Sequence, residues 1–203
     1  VTPIYSPAAK LVSLCHLLQA LLAMTDLSAI QRHLNQPGLA PVESWNPPFC
    51  GDIPLHIDAQ GQWFYQQSLI QRQAMVKLFA SVLICQQGEH FLQTPVEKVR
   101  ITVADAPLLI TDWQWTDTAT GPALLLTTNL QHQLVVSPAN PLLLRQDPQQ
   151  QLLPYLQLWR GLQAKLSRNV YYQLAEQTSA VFCNGQQHYQ LKSGGYPFSF
   201  AIV

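Results

Sequence analysis

Residues 70–94 read IQRQAMVKLFASVLICQQGEHFLQT, and the spacing of the apolar positions changes once within them. Over 72–83, Met75, Val76, Phe79, Val82 and Leu83 fall on one face at helical period. Residues 84–87 and 90–94 then form two short apolar runs around Gly88, the pattern of a hairpin. A helix passing directly into a hairpin is the signature of an α+β unit. The same order returns in residues 166–190, LSRNVYYQLAEQTSAVFCNGQQHYQ. An aliphatic-x-Arg triplet opens both stretches, as Ile70-Gln71-Arg72 and Leu166-Ser167-Arg168; Val170, Tyr171 and Leu174 carry the second helical phase, and Gly185 turns the second hairpin. Each stretch follows a further hairpin pattern, at 52–70 around the turn 58–61 and at 155–166 around Arg160-Gly161. The expected fold is α+β, with two small sheet-plus-helix units sharing an internally repeated hairpin–helix–hairpin motif. Duplication is one explanation and coincidence the other, because few identities accompany the shared order; the period is far too long for a solenoid.

Outward from these stretches, the chain from Val96 reads as β for some distance. Val99, Ile101 and Val103 alternate with Lys98, Arg100 and Thr102, and strand-like runs follow at 108–115, 123–128 and 133–137. Residues 146–151, with Asp147-Pro148 inside, read as a polar loop, and Ser193-Gly194-Gly195 as a turn in preference to an anion-holding loop, since no Lys-Ser or Lys-Thr follows it. The expected divisions are 1–23, 24–49, 50–95 as an α+β domain and 96–203 as a β-rich domain with one helix. Residues 11–23, LVSLCHLLQALLA behind Lys10, are too short to span a bilayer and are interrupted by His16 and Gln19. An upstream extension, a docked helix and an export signal are all open readings for residues 1–23. After Met24, Thr25-Asp26 caps a helical pattern that ends at Pro37-Gly38, and the Pro-rich residues 36–50 read as an extended connector.

Of 203 residues only 11% are charged, against about 25% in a typical soluble protein, and the 11 basic and 11 acidic residues cancel. A polyanion-wrapping protein, an acidic tail and a coiled coil all need charge density that this chain lacks. The missing polarity comes from 26 glutamines, which titrate nowhere. The four cysteines show no C-x-x-C pairing, so free thiols in a reducing cytosol are expected. The six histidines stand alone, and there is no G-x-S-x-G.

Against this background the densest charged cluster, Glu97-Lys98-Val99-Arg100, stands out. On a strand Lys98 and Arg100 share a face and could grip an anion together; a solvated strand edge protected by charge is the competing reading. Arg72 and Arg168 stand at helix starts, where the helix is already partially positive. Either they bind a phosphate together with the free helix N–H groups, or they pair with carboxylates such as Asp52 or Glu97. Trp63 and Tyr65 lack nearby cations until Arg72, which suits a small nucleotide better than a nucleic acid polymer.

Three of these segments resemble the bacterial domain-of-unknown-function 1285 family: Cys50-Gly51-Asp52-Ile53; Trp63-Phe64-Tyr65 with Ile70-x-Arg72; and, most specifically, Thr94-Pro95-Val96-Glu97-Lys98-Val99-Arg100-Ile101. Asp105-Ala106-Pro107, Arg160-Gly161-Leu162 with Arg168, and Ser193-Gly194-Gly195 are also similar. The resemblance covers about residues 45–198. It implies two domains with a repeated motif, a C-terminal unit superficially like a pleckstrin-homology fold, and a nucleotide-like ligand between the domains in a signalling role. It implies no catalytic residue.

The expectation is thus a cytoplasmic, non-enzymatic protein that binds a small anionic, nucleotide-like ligand at the junction of its two units and takes part in signal transduction with a protein partner. Lys98, Arg100 and Arg72, with Arg168, would hold the phosphate; Trp63 or Tyr65 would stack; Asp52 and Glu97 would orient the cations or accept from ribose or base. No cofactor, metal or membrane is expected. The alternatives are a protein-interaction scaffold and a metal-dependent phosphoester hydrolase in which Asp52 and Glu97 converge.

Overall fold

A computed structural model describes residues 40–183 and 185–202, so the expectations for residues 1–39, including the helix after Met24, lie outside the described residues. The fold is α+β, with two six-stranded sheets, a third small sheet and few helices. Two compact units emerge: the first runs up to Leu55 and takes in Phe64–Thr102; the second comprises His56–Trp63 and Val103–Val203.

The first unit is built on strands β1 (Phe49–Ile57), β2 (Trp63–Tyr65), β3 (Ser68–Leu69), β4 (Leu83–Gln86), β5 (Glu89–Gln93) and β6 (Lys98–Val103), in the order β3-β2-β1-β6-β5-β4. β6 lies between β1 and β5, and the first unit accordingly extends to Thr102. Helix α1 (Gln73–Ser81) buries Met75, Val76, Phe79 and Ala80, four positions at helical spacing. The Pro-rich connector is docked. Val42, in a 3-10 turn at Val42–Ser44, packs with Ile84 and Phe91, and Gln93 Nε2 donates to the carbonyls of Val42 and Trp45, both at 2.9 Å.

The expected single strand over 62–70 is broken into β2 and β3 by a tight turn at Gln66 and Gln67, with φ of 46° and 68°. A turn of that hand is normally signalled by Asn-Gly, so a Gln-Gln pair gives no cue. Among the described residues, five of the six non-glycine positions with positive φ are glutamines: 66, 67, 87, 131 and 150. Glutamine here holds left-handed turn positions as well as solvating the surface. Left-handed backbone costs a side-chain-bearing residue about 1–2 kcal/mol. Replacing Gln66-Gln67 by Asn-Gly is therefore expected to raise stability by about 0.5–1 kcal/mol, the added flexibility of glycine cancelling part of the relief, as read by urea titration at unchanged m-value.

The second unit contains β7 (Leu108–Thr118), β8 (Gly121–Thr128), β9 (Gln133–Val135), β10 (Leu142–Gln146), β11 (Leu152–Gln157) and β12 (Gln163–Leu166), in the order β10-β11-β12-β7-β8-β9. All of its neighbours pair antiparallel except β12 and β7, which run parallel. Helix α2 (Arg168–Ala175) follows β12 and packs on β7 and β12. A separate sheet, β13 (Ser179–Cys183), β14 (Gln186–Ser193) and β15 (Tyr196–Ile202), closes on the larger one through contacts of β15 with β10 and β11 and of β14 with β8. Ile110, Leu124, Leu126, Leu156 and Tyr155 are fully buried between these layers, and each such aliphatic side chain contributes about 1.5–3 kcal/mol. Strand β10 escaped the sequence because 142–144 is a leucine run with no alternation. Strand β15 escaped because Pro197 interrupts it, although Phe198 and Phe200 bury alternate positions.

The expected order of helix and glycine hairpin is present twice. Ile70 and Leu166 anchor the two triplets in the core, at 6% and 5% exposure. Arg72 is the N-cap of α1, whereas Arg168 is the first residue of α2, so the repeats differ by one position. The hairpin after α1 joins the main sheet of its unit; the hairpin after α2 forms a sheet of its own with β15.

Candidate functional site

In the first unit the register places Arg100 opposite Phe91 and Lys98 opposite Gln93, so the two cations share a face, as the alternation requires. They do not offer free charge there. Arg100 makes a two-pronged contact with Asp52, Nε to Oδ1 at 2.8 Å and Nη2 to Oδ2 at 2.9 Å, and its Nη1 donates to Glu89 at 2.7 Å. The hydrogen bond to Arg100 holds the Asp52 carboxyl below its ordinary value, and the bonds to Asp52 and Glu89 raise the guanidinium. Lys98 donates to Gln86 Oε1 and sits 4.2 Å above the centre of the Phe91 ring. The cluster is a charged strand face satisfied within its own sheet; because β6 lies between β1 and β5, it is not the charge-protected strand edge of the competing reading.

Trp63, Tyr65 and Glu97 differ from expectation because they are buried. Trp63 and Tyr65 are 2% and 5% exposed, and rings so enclosed present no open face for stacking. Glu97 is 8% exposed, and its backbone closes a turn with Thr94, whose N–H donates to the Glu97 carbonyl at 2.8 Å. Asp52 has both oxygens engaged by Arg100. Among the described residues no group of three or more His, Cys, Asp or Glu could hold a metal ion. Arg72 is exposed, and its carbonyl accepts the first N–H groups of α1.

Arg168 lies in a different setting. It lines a groove of about 690 Å³ in the second unit with Gln151, Leu153, Lys165, Tyr171 and Tyr172, over a floor that includes Pro154 and Leu166. Ligand pockets commonly enclose about 300–1,000 Å³. The N-cap Ser167 accepts from the Val170 N–H, fixing the first turn of α2 and with it the exit direction of Arg168. The Arg168 guanidinium lies 5.7 Å from the Tyr172 ring centre and has no carboxylate at ion-pair distance among the described residues.

Lys165 reaches the groove from a buried ion cluster. Asp105, whose side chain is fully buried, accepts from Lys165 Nζ at 2.6 Å, from Arg145 Nη2 at 2.5 Å and from the Tyr155 hydroxyl at 2.8 and 2.9 Å. Burial first, and then the hydrogen bond to Asp105, push the Tyr155 hydroxyl well above its ordinary value. Arg145 stacks on the Tyr155 ring at 3.9 Å. Asp147 stands 3.7 Å from Lys165, and its Oδ1 accepts the N–H groups of Gln149 and Gln151, both at 2.9 Å, which shapes the 147–151 loop at the groove wall. Three cations, Arg145, Lys165 and Arg168, thus face two carboxylates, and the excess positive charge is at Arg168. Lys165 has three N–H groups and one short partner, so it is held in place while keeping donors for a ligand.

Sequence reasoning found Arg168 through its helix-start position but missed Lys165, Tyr171, Tyr172 and Asp105. The available signal was the parity of the strands. Tyr155 lies opposite Lys165 on β11 and β12, and Arg145 opposite Leu153 on β10 and β11, so Arg145, Leu153, Tyr155 and Lys165 lie on one face once the register is known; Asp105, between β6 and β7, and Tyr171 and Tyr172, on α2, carry no such signal.

No curated protein matches the chain. Among solved structures it is similar to a DUF1285 family protein from Silicibacter pomeroyi DSS-3, at 36% identity and a TM-score of 0.75, over 89% of this chain and 97% of that one. It is also similar to a DUF1285 family protein from Shewanella baltica OS155, at 37% identity and a TM-score of 0.51, over 61% of this chain and 91% of that one. Residues 40–106 match the N-terminal domain of the domain-of-unknown-function family DUF1285 and residues 107–200 its C-terminal domain, so the chain belongs to the DUF1285 family.

Proposed function

We propose that this protein is a non-enzymatic binding module for a small anionic molecule with an aromatic part, of nucleotide-like chemistry, and that the ligand occupies the groove of the second unit. The observation that carries the reading is Arg168, a cation without a carboxylate partner among the described residues, at a helix N-terminus beside Lys165 and two tyrosines. A helix N-terminus with a cation next to it favours a phosphate or carboxylate over a neutral group. The exposed Tyr172 ring offers a stacking face, while Leu153, Pro154 and Leu166 accept the apolar side of a base. Nothing in the groove pairs a nucleophile with a base, so the module recognises its ligand without transforming it and passes the bound state to a signalling partner. Cys50 and Cys85 are free thiols, which supports a reducing compartment. No helix among the described residues is long and apolar enough to cross a membrane.

Calorimetry with nucleoside mono-, di- and triphosphates tests this reading. One of them is expected to bind, and Arg168→Ala to weaken it by roughly tenfold to a hundredfold, the ~1.5–3 kcal/mol of a hydrogen bond to a charged group. Tyr172→Ala is expected to weaken the same ligand without altering the melting temperature. Absence of binding by every member of the series at millimolar concentration rejects the proposal.

A further inference from the structure

The small sheet of the second unit has an edge strand, β13, that lacks the usual protections of a sheet edge. Among the described residues, strand β13 pairs with β14 alone and is an edge of its sheet. Its residues 179–182 are all exposed, Val181 by 41% and Phe182 by 77%, and these two neighbours point to opposite faces. Natural edges are blunted by lysine, proline, a bulge, shortness or a covering element. Strand β13 has five residues with no charge, no proline and a regular register. By contrast β3 and β9 are two and three residues long, and β10 lies beside β15.

We infer that β13 pairs with β13 of a second copy of this chain, antiparallel about a two-fold axis at Val181. That register engages all five residues and sets Val181 against Val181, Ser179 against Cys183, and the large Phe182 against the small Ala180. The sequence is therefore complementary to itself in size, and the contact closes as a pair without propagating. The 11 basic and 11 acidic residues leave no net charge to keep two copies apart. The product is a continuous six-stranded sheet in the order β15-β14-β13-β13-β14-β15. The inference is independent of what the groove binds.

Val181 sits on the dyad, so a charge placed there meets its own copy, and like charges directly opposite destabilise a strand pair. Sedimentation velocity of the full chain at submillimolar concentration is expected to show a reversible monomer–dimer equilibrium. Val181→Lys and Val181→Glu should each be monomeric with unchanged circular dichroism and melting temperature, since the position is exposed. An equimolar mixture of the two variants should recover the dimer, because opposite charges then face each other. A wild-type chain that stays monomeric, a dimer that survives Val181→Lys, a mixture that stays monomeric, or a ladder of higher species overturns the inference.

Discussion

Asp105→Ala is expected to lower stability by about 3–5 kcal/mol, the cost of removing one partner from a buried ion cluster. For a chain of this size the melting temperature should fall by roughly 10 °C. The physical reason is the number of groups that one carboxylate satisfies. Lys165, Arg145 and the Tyr155 hydroxyl all converge on Asp105, whose side chain has no exposed surface. With the carboxylate gone, Lys165 and Arg145 are like charges facing one cavity, and each regains only part of its hydration, being 22% and 36% exposed. The cluster itself is not a large net stabiliser, because bringing its ions out of water offsets most of their attraction. A double-mutant cycle separates these two statements. Lys165→Ala in the Asp105→Ala background should cost much less than in the wild type, with a coupling of about 0.5–3 kcal/mol measured by urea titration. Additive losses would mean that Asp105 acts through packing alone.

That cluster also marks where the sequence stops being legible. The helices and glycine hairpins were readable because each is decided by residues close in the chain: Met75, Val76 and Phe79 at helical spacing, or Gly88 between two apolar runs. Asp105 meets its partners 40, 50 and 60 positions away. Their convergence depends on the parallel pairing of β12 with β7 and the antiparallel pairing of β10, β11 and β12, which no local pattern specifies. The same distinction separates the two groups of candidate ligands. Arg168 could be singled out by its place at a helix start. That Arg100 meets Asp52 and Glu89 and that Trp63 is enclosed depend on sheet order, so charge density alone pointed to a cluster that is already satisfied. Scarcity of charge narrowed the search usefully, but only register tells which charge is free.

Ser193→Ala is expected to cost about 2–4 kcal/mol, an unusually large effect for deleting one oxygen. Ser193 is 1% exposed, and its hydroxyl inserts between Leu124 of β8 and Val136 just past β9, beside the bond from the Val136 N–H to the Leu124 carbonyl at 2.8 Å. It accepts the Leu124 N–H at 2.8 Å and donates to the Val136 carbonyl at 2.6 Å. Both backbone groups are buried, and alanine leaves both without a partner at about 1–3 kcal/mol each. The volume freed is too small and too enclosed to admit a water that could replace the hydroxyl. The turn that follows explains why serine must sit there. Gly194 and Gly195 both adopt positive φ, 55° and 83°, and Gly194 N–H donates to the Pro122 carbonyl at 2.9 Å, which fixes the β14–β15 hairpin against β8. Ser193-Gly194-Gly195 is therefore a structural pin whose hydroxyl points inward, and not an anion-holding loop. Ser44→Ala supplies the comparison. Its hydroxyl also donates to a carbonyl, that of Pro41 at 2.7 Å, but at an exposed turn where water can substitute. Urea titration should place Ser44→Ala within about 0.5 kcal/mol of the wild type, while Ser193→Ala loses several times more with an unchanged m-value. Equal effects of the two substitutions would show that water reaches the Leu124 N–H and the Val136 carbonyl once the hydroxyl is gone.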